Sequence, residues 1–137
     1  MTWNKTNPLP TYSNKYVNDV EYILYFHKGK GHCFPECYTD AFHYYLSPIN
    51  SIDKKKYKHP TIKPLEFTKR LIRNSSKKNN LVLDCFMGSG TTGVACKELE
   101  RDFIGVEINK EFFDIAVERI NSVGKTEQIG IEDLIGE

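Results

Sequence analysis

The pattern of apolar and polar positions along this chain changes rhythm several times. Residues 20–26, Val-Glu-Tyr-Ile-Leu-Tyr-Phe, are aromatic and β-branched and predict a well-buried strand, ended by Gly29 and Gly31. Residues 3–10, Trp-Asn-Lys-Thr-Asn-Pro-Leu-Pro, predict a short edge strand running into a loop, because Pro8 and Pro10 cannot serve a central strand. Leu81-Val82-Leu83 predicts a short buried strand, and Phe103 to Ile108 a parallel-type strand that is apolar on both faces. Between these runs the period becomes helical. Leu65, Thr68, Leu71 and Ile72 share one face behind Pro64, which suits the first turn of a helix. A helix over 91–100 turns Val94, Ala95 and Leu99 inward. Another over 111–121 does the same with Phe112 or Phe113, Ala116, Val117 and Ile120. Asn79-Asn80 marks a break, and residues 122–137 read as a loose tail with a weak amphipathic trace.

The stretch joining the second strand to its helix carries chemistry. Gly88, Gly90 and Gly93 fall in G-x-G-x-x-G spacing straight after Leu81-Val82-Leu83-Asp84. Glu107 follows Gly88 by 19 positions, at the end of the next apolar run. That is the layout of a nucleotide-type cofactor site in a doubly wound α/β fold. Glycines let the backbone turn tightly and approach a ligand closely, and the Glu107 carboxylate suits ribose hydroxyls. Asp84 narrows the ligand. A dinucleotide would place its pyrophosphate at this loop, where a carboxylate repels it. S-adenosylmethionine has ribose and adenine, no phosphate, and a sulfonium with an ammonium that Asp84 favours. A corner using glycine only for packing needs neither acid. No G-x-x-x-x-G-K-[ST] occurs, so an ATPase has no support.

Composition adds a division of charge. The 137 residues suit about one domain of the usual ~100–200 residues. Residues 1–80 hold 14 Lys+Arg against 6 Asp+Glu, a net of +8, and residues 81–137 hold 5 against 12, a net of −7. A basic half suits a polyanion such as nucleic acid, and an acidic half with the glycine loop suits a cationic cofactor. The alternative is that the two halves attract one another. Within residues 32–58, aromatics (Phe34, Tyr38, Phe42, Tyr44, Tyr45, Tyr57) mix with Lys54, Lys55, Lys56 and Lys58. Interleaved rings and cations suit phosphate contacts and base stacking. A solvated loop explains any single lysine equally well. No apolar stretch approaches the roughly 20 residues that span a bilayer, and no secretory leader pattern opens the chain. The expected location is cytoplasmic, with no membrane partner. Cys33 and Cys37 lie near His32 and His43, but C-x₃-C is looser than a zinc knuckle and no second pair follows. Free thiols are favoured over a metal.

Three blocks together resemble the DNA amino-methyltransferases that modify the exocyclic nitrogen of adenine or cytosine, in the permuted order where the catalytic motif precedes the cofactor motif. His59-Pro-Thr-Ile-Lys-Pro64 is similar to their H-P-x-x-K-P block. Leu83 to Gly93, reading L-D-C-F-M-G-S-G-T-T-G, is similar to their cofactor block, and Arg101 to Glu107, reading R-D-F-I-G-V-E, to the block ending on the ribose acid. Trp3 to Pro8 and Glu21 to Phe26 resemble the hairpin strands ahead of the family's target-recognition insert. The likeness runs from about Trp3 to Ile120. It implies a Rossmann-like methyltransferase fold, S-adenosylmethionine as cofactor and double-stranded DNA as partner. It also implies residue roles. Asp84, Phe86, Gly88, Ser89, Gly90, Thr91 and Thr92 would contact the methionine part, Glu107 would hold the ribose, and Thr61, Lys63 and Pro64 would close over the cofactor. Residues 1–27 would be hairpin strands, 28–58 a short target-recognition segment with Lys54, Lys55, Lys56 and Lys58 toward DNA, 59–121 the cofactor part, and 122–137 a tail.

One departure matters. The family's catalytic [DNS]-P-P-[YFW] loop, which receives the target amino group and stacks on the flipped base, is not found in the chain. Asn7-Pro8-Leu9-Pro10 lacks both the adjacent prolines and the aromatic. In the permuted order that loop is expected upstream of Met1, together with two central strands. The chain is therefore expected to be the carboxyl-terminal half of a methyltransferase, with a partial sheet and no methyl transfer of its own. Unpaired apolar strand edges would then invite a partner chain carrying the loop, or a second copy. The rival readings are a non-catalytic remnant that binds cofactor or DNA, a small-molecule or RNA methyltransferase on the same fold, and a Rossmann dehydrogenase.

Overall fold

A computed structural model describes residues 1–8, 16–30, 44–49, 55–57 and 62–124. The expected tail from residue 125, and Cys33, Cys37, His32 and His43, lie outside the described residues. In chain order the elements are β1 (Thr2–Lys5), β2 (Val20–Tyr22), β3 (Tyr44–Ser47), α1 (Leu65–Ser75), β4 (Leu81–Asp84), α2 (Thr91–Glu98), β5 (Asp102–Gly105) and α3 (Lys110–Ser122). They form a mixed α/β arrangement with two small sheets. One has the order β2-β1-β3, and the other pairs β4 with β5.

The local reasons for the helices are visible at their ends. Pro64 sits at the N-cap of α1, and its carbonyl accepts from Thr68 N at 3.1 Å. At the other end Arg101 Nη2 donates to Ser76 O at 2.8 Å, satisfying a carbonyl just past the last turn. Helix α3 starts on Asn109, whose side chain accepts from the backbone N–H groups of Glu111 and Phe112. Helix α2 ends where Glu100 takes a positive φ of 61°, and Arg101 N returns to Cys96 O at 2.8 Å.

Helix α1 joins the two sheets. Its Phe67 ring lies 6.1 Å from Trp3 in β1 and 5.0 Å from Tyr45 in β3, and Arg70 Nη1 donates to Tyr44 O at 3.1 Å. On the cofactor side, Ile72 meets Ala95 and Cys96 of α2 in a core flanked by Leu65, Val82, Leu99 and Phe103. Burial raises the Cys96 thiol to about 11, so it remains a neutral core group at physiological pH.

Three expectations change. Strand β1 is central, pairing antiparallel with β2 and parallel with β3. Its prolines do not interfere, because β1 ends at Lys5, ahead of Pro8. The apolar run from Val20 forms only the three-residue β2, and Tyr22 and Phe26 are each 82% exposed rather than buried. Nor are β4 and β5 covered on both faces. Val82 and Phe103 point to the helices, but Leu81 is 62% and Ile104 50% exposed on the other side. Among the described residues β2, β3, β4 and β5 each leave one edge without a strand neighbour. The runs are apolar, but among the described residues they are not covered as buried strands would be.

Candidate cofactor site

The site grows from the end of β4. Strands β4 and β5 run parallel in the register Leu81↔Asp102 to Asp84↔Gly105, so Asp84 and Glu107 leave the same end of the sheet. Ligands of open α/β sheets collect at that carboxyl end. Two backbone bonds carry the pairing past the strands: Val106 N to Asp84 O at 2.9 Å and Met87 N to Val106 O at 3.0 Å. The glycine loop then turns into α2. Gly88 and Gly90 have φ of 51° and 77°, the left-handed region that glycine takes without penalty. At Gly90 a Cβ would stand 2.8 Å from Ala116 Cβ, so the loop lies directly on α3.

Both acids shape this loop. Asp84 Oδ1 accepts from Phe86 N at 3.0 Å and Oδ2 from Thr92 Oγ1 at 2.6 Å. Glu107 Oε2 accepts from Gly88 N at 2.9 Å and Oε1 from Asn109 N at 2.9 Å. A pocket of about 290 Å³ opens between loop and α1, lined by Asp84, Phe86, Met87, Gly88, Ser89, Thr91 and Thr92 with Lys63 and Thr68. That is near the ~300 Å³ lower end of small-molecule sites. The Phe86 ring stands 89% exposed beside it.

The structure thus brings seven of the expected cofactor residues to one pocket: Asp84, Phe86, Gly88, Ser89, Thr91, Thr92 and Lys63. Gly90 backs the loop against α3, Glu107 braces it through Gly88, and Pro64 caps α1. Thr61, Lys54 and Lys58 lie outside the described residues; Lys55 and Lys56 are exposed. Lys63 is not a free cation. Its ammonium pairs with Glu21 and lies 5.3 Å from the Trp3 ring, while Lys5 meets Glu21 at 3.1 Å. Burial raises the Glu21 carboxyl, but the hydrogen bonds from Lys63 and Lys5 outweigh it and hold the group below its ordinary value. Thr68, Met87 and Arg119 were not anticipated at the site. Thr68 shares a helix face with Leu65 and Ile72, and only its nearness to Lys63 could have marked it. Arg119 lies between Ala116 and Ile120, and nothing in the sequence distinguishes it from a solvated helix cation.

The family model described as a DNA methylase matches residues 1–118. The chain belongs to the DNA methylase family. Within that family it is 38% identical over 141 residues to the Type II methyltransferase M2.LlaDCHI of Lactococcus lactis subsp. cremoris, covering 88% of this chain and 49% of the relative. It is 35% identical to the Type II methyltransferase M2.DpnII of Streptococcus pneumoniae, covering 92% and 52%. This DNA methylase chain therefore spans about half the length of those relatives. Among solved structures, an M1.HpyAVI–SAM complex superposes with a TM-score of 0.71 at 37% identity, covering 88% of this chain and 60% of that one. The cytosine-N4-specific PvuII DNA methyltransferase superposes at 0.73 over 97% of this chain and 52% of that one, at 18% identity, a likeness of fold alone. The fold is that of an S-adenosylmethionine-dependent methyltransferase in part, as expected. No described helix is long and apolar enough to cross a membrane, and no described cluster of side chains has the makings of a metal site.

Proposed function

We propose that this stretch is the S-adenosylmethionine-binding half of a DNA methyltransferase that acts on the exocyclic amino group of adenine or cytosine. The observation that carries the reading is the pair of carboxylates, Asp84 and Glu107, set on either side of a glycine loop at the carboxyl end of parallel strands. The residues fit the cofactor. A phosphate-bearing ligand would meet carboxylates, and the pocket's Lys63 is already paired with Glu21. A ligand with a sulfonium, an ammonium and a ribose meets complementary charge and acceptors.

In this reading Asp84 balances the cationic end, and the loop from Phe86 to Thr92 seats the methionine part. Glu107 accepts from the ribose while keeping Gly88 in place, and Lys63 with Pro64 forms the rim on the α1 side. The cofactor supplies a methyl group activated by its sulfonium; the chain orients it, which is where such enzymes gain most. Lys54, Lys55, Lys56 and Lys58 of the 28–58 segment would supply the positive charge for the DNA backbone.

The catalytic [DNS]-P-P-[YFW] loop comes from another segment or a partner chain. Support for this is the absence of the tetrapeptide from the 137 residues and the open apolar side of β4 and β5. Residues 1–137 alone then bind cofactor without methylating DNA. Equilibrium dialysis with labelled S-adenosylmethionine, with NAD as comparator, tests the reading. Retention of S-adenosylmethionine and not NAD is expected; preferential retention of NAD would overturn it.

A further inference from the structure

The glycine loop is held from behind by a buried cation that sequence reasoning did not single out. Arg119 of α3 is 6% exposed, and its Nη1 donates to Ser89 O at 2.6 Å, Ser89 Oγ at 2.9 Å and Thr91 Oγ1 at 3.3 Å. Ser89 and Thr91 are buried too, at 3% and 6%. The same guanidinium lies 4.6 Å from the ring centroid of half-buried Tyr57, and Lys56 Nζ lies 5.2 Å from that ring. A planar guanidinium suits this arrangement, because it stacks on a ring while donating in its own plane. Its two Nη1 hydrogens, shared among these acceptors, fix the turn that presents Ser89 and Thr91 to the pocket, and Tyr57 fixes the guanidinium.

We infer that Arg119 is a positioning residue for the cofactor loop and that Tyr57 seats it, so that the basic segment and the loop move as one unit. The inference rests on the cofactor reading for its consequence, but the strut itself can be read without ligand. Hydrogen exchange on the full chain in the absence of cofactor measures the loop directly. Tyr57→Leu should speed exchange of the amides from Gly88 to Thr92 severalfold with the circular dichroism spectrum intact, and Tyr57→Phe, which keeps the ring, should match wild type. Arg119→Met keeps much of the side chain's reach but loses the Nη1 donor. It should release the loop in the same way, and it decides the matter should Tyr57→Leu lose its fold. Loop exchange unchanged in a folded Tyr57→Leu or Arg119→Met chain overturns the inference. Calorimetry then reads the consequence: S-adenosylmethionine affinity should fall about tenfold in Tyr57→Leu and be restored in Tyr57→Phe, the scale of a desolvated cation–π contact. If wild type binds no S-adenosylmethionine, the cofactor reading fails while the exchange data still decide the strut.

Discussion

The two faces of the β4–β5 pair make the most instructive contrast in this molecule. On one face Val82 and Phe103 pack against α1 and α2, around Ile72, Ala95 and Cys96. There the fit is close: a Cβ at Gly93 would stand 2.7 Å from the Phe103 ring. On the other face Leu81, Leu83, Ile104 and Val106 are 50–62% exposed. Parallel strands are normally covered on both sides, so the strands here carry the composition of a two-sided sheet with one side dressed. The difference teaches that the cofactor corner is packed on its helix side, whereas the opposite face of β4 and β5 carries apolar side chains left uncovered among the described residues.

The contrast can be broken most strongly from the covered side. Ile72→Ala should cost about 2–5 kcal/mol, the usual range for emptying a packed aliphatic site, read as a lower midpoint of urea unfolding. Asn109→Ala removes the N-cap acceptor of α3, and the same titration should show a loss of about 1 kcal/mol. On the open side, Leu83→Ser should change stability by no more than ~0.5 kcal/mol. Because it interrupts an exposed apolar surface, it should also reduce self-association in analytical ultracentrifugation. A destabilisation by Leu83→Ser as large as that by Ile72→Ala would mean that the exposed face is already covered in solution. The smallest effect concerns pH. Glu21 is held below its ordinary value, so its contribution is complete above the usual carboxylate range and is lost as pH falls through the lower folded value. The acid limb of a melting-temperature profile should flatten slightly in Glu21→Gln.

The cofactor corner was legible in the sequence because its constraints are local. The spacing of Gly88, Gly90 and Gly93, the placement of Asp84 and Glu107, and the helical period after them act within about 25 residues. The failures lie where distant partners decide. Strand β1 read as an edge because Pro8 follows closely, yet it is central because β3 pairs with it from more than 40 residues away. Strand β3 itself went unseen, since Tyr44–Ser47 lies in an aromatic stretch without a clean period. The run from Val20 to Phe26 read as buried because its composition is that of a core strand. In the structure β2 spans only Val20–Tyr22, and Leu24 and Phe26 beyond it are 78% and 82% exposed. Arg119 was passed over because helix cations are usually solvated, and only its stacking on Tyr57 and its bonds to Ser89 reveal its place.

The most direct test is isothermal calorimetry of the full chain with S-adenosylmethionine, comparing wild type with Asp84→Ala and Glu107→Ala. Saturable binding by wild type that weakens at least tenfold in each folded variant is the expected result. Equal binding by all three would contradict a site built on these two carboxylates.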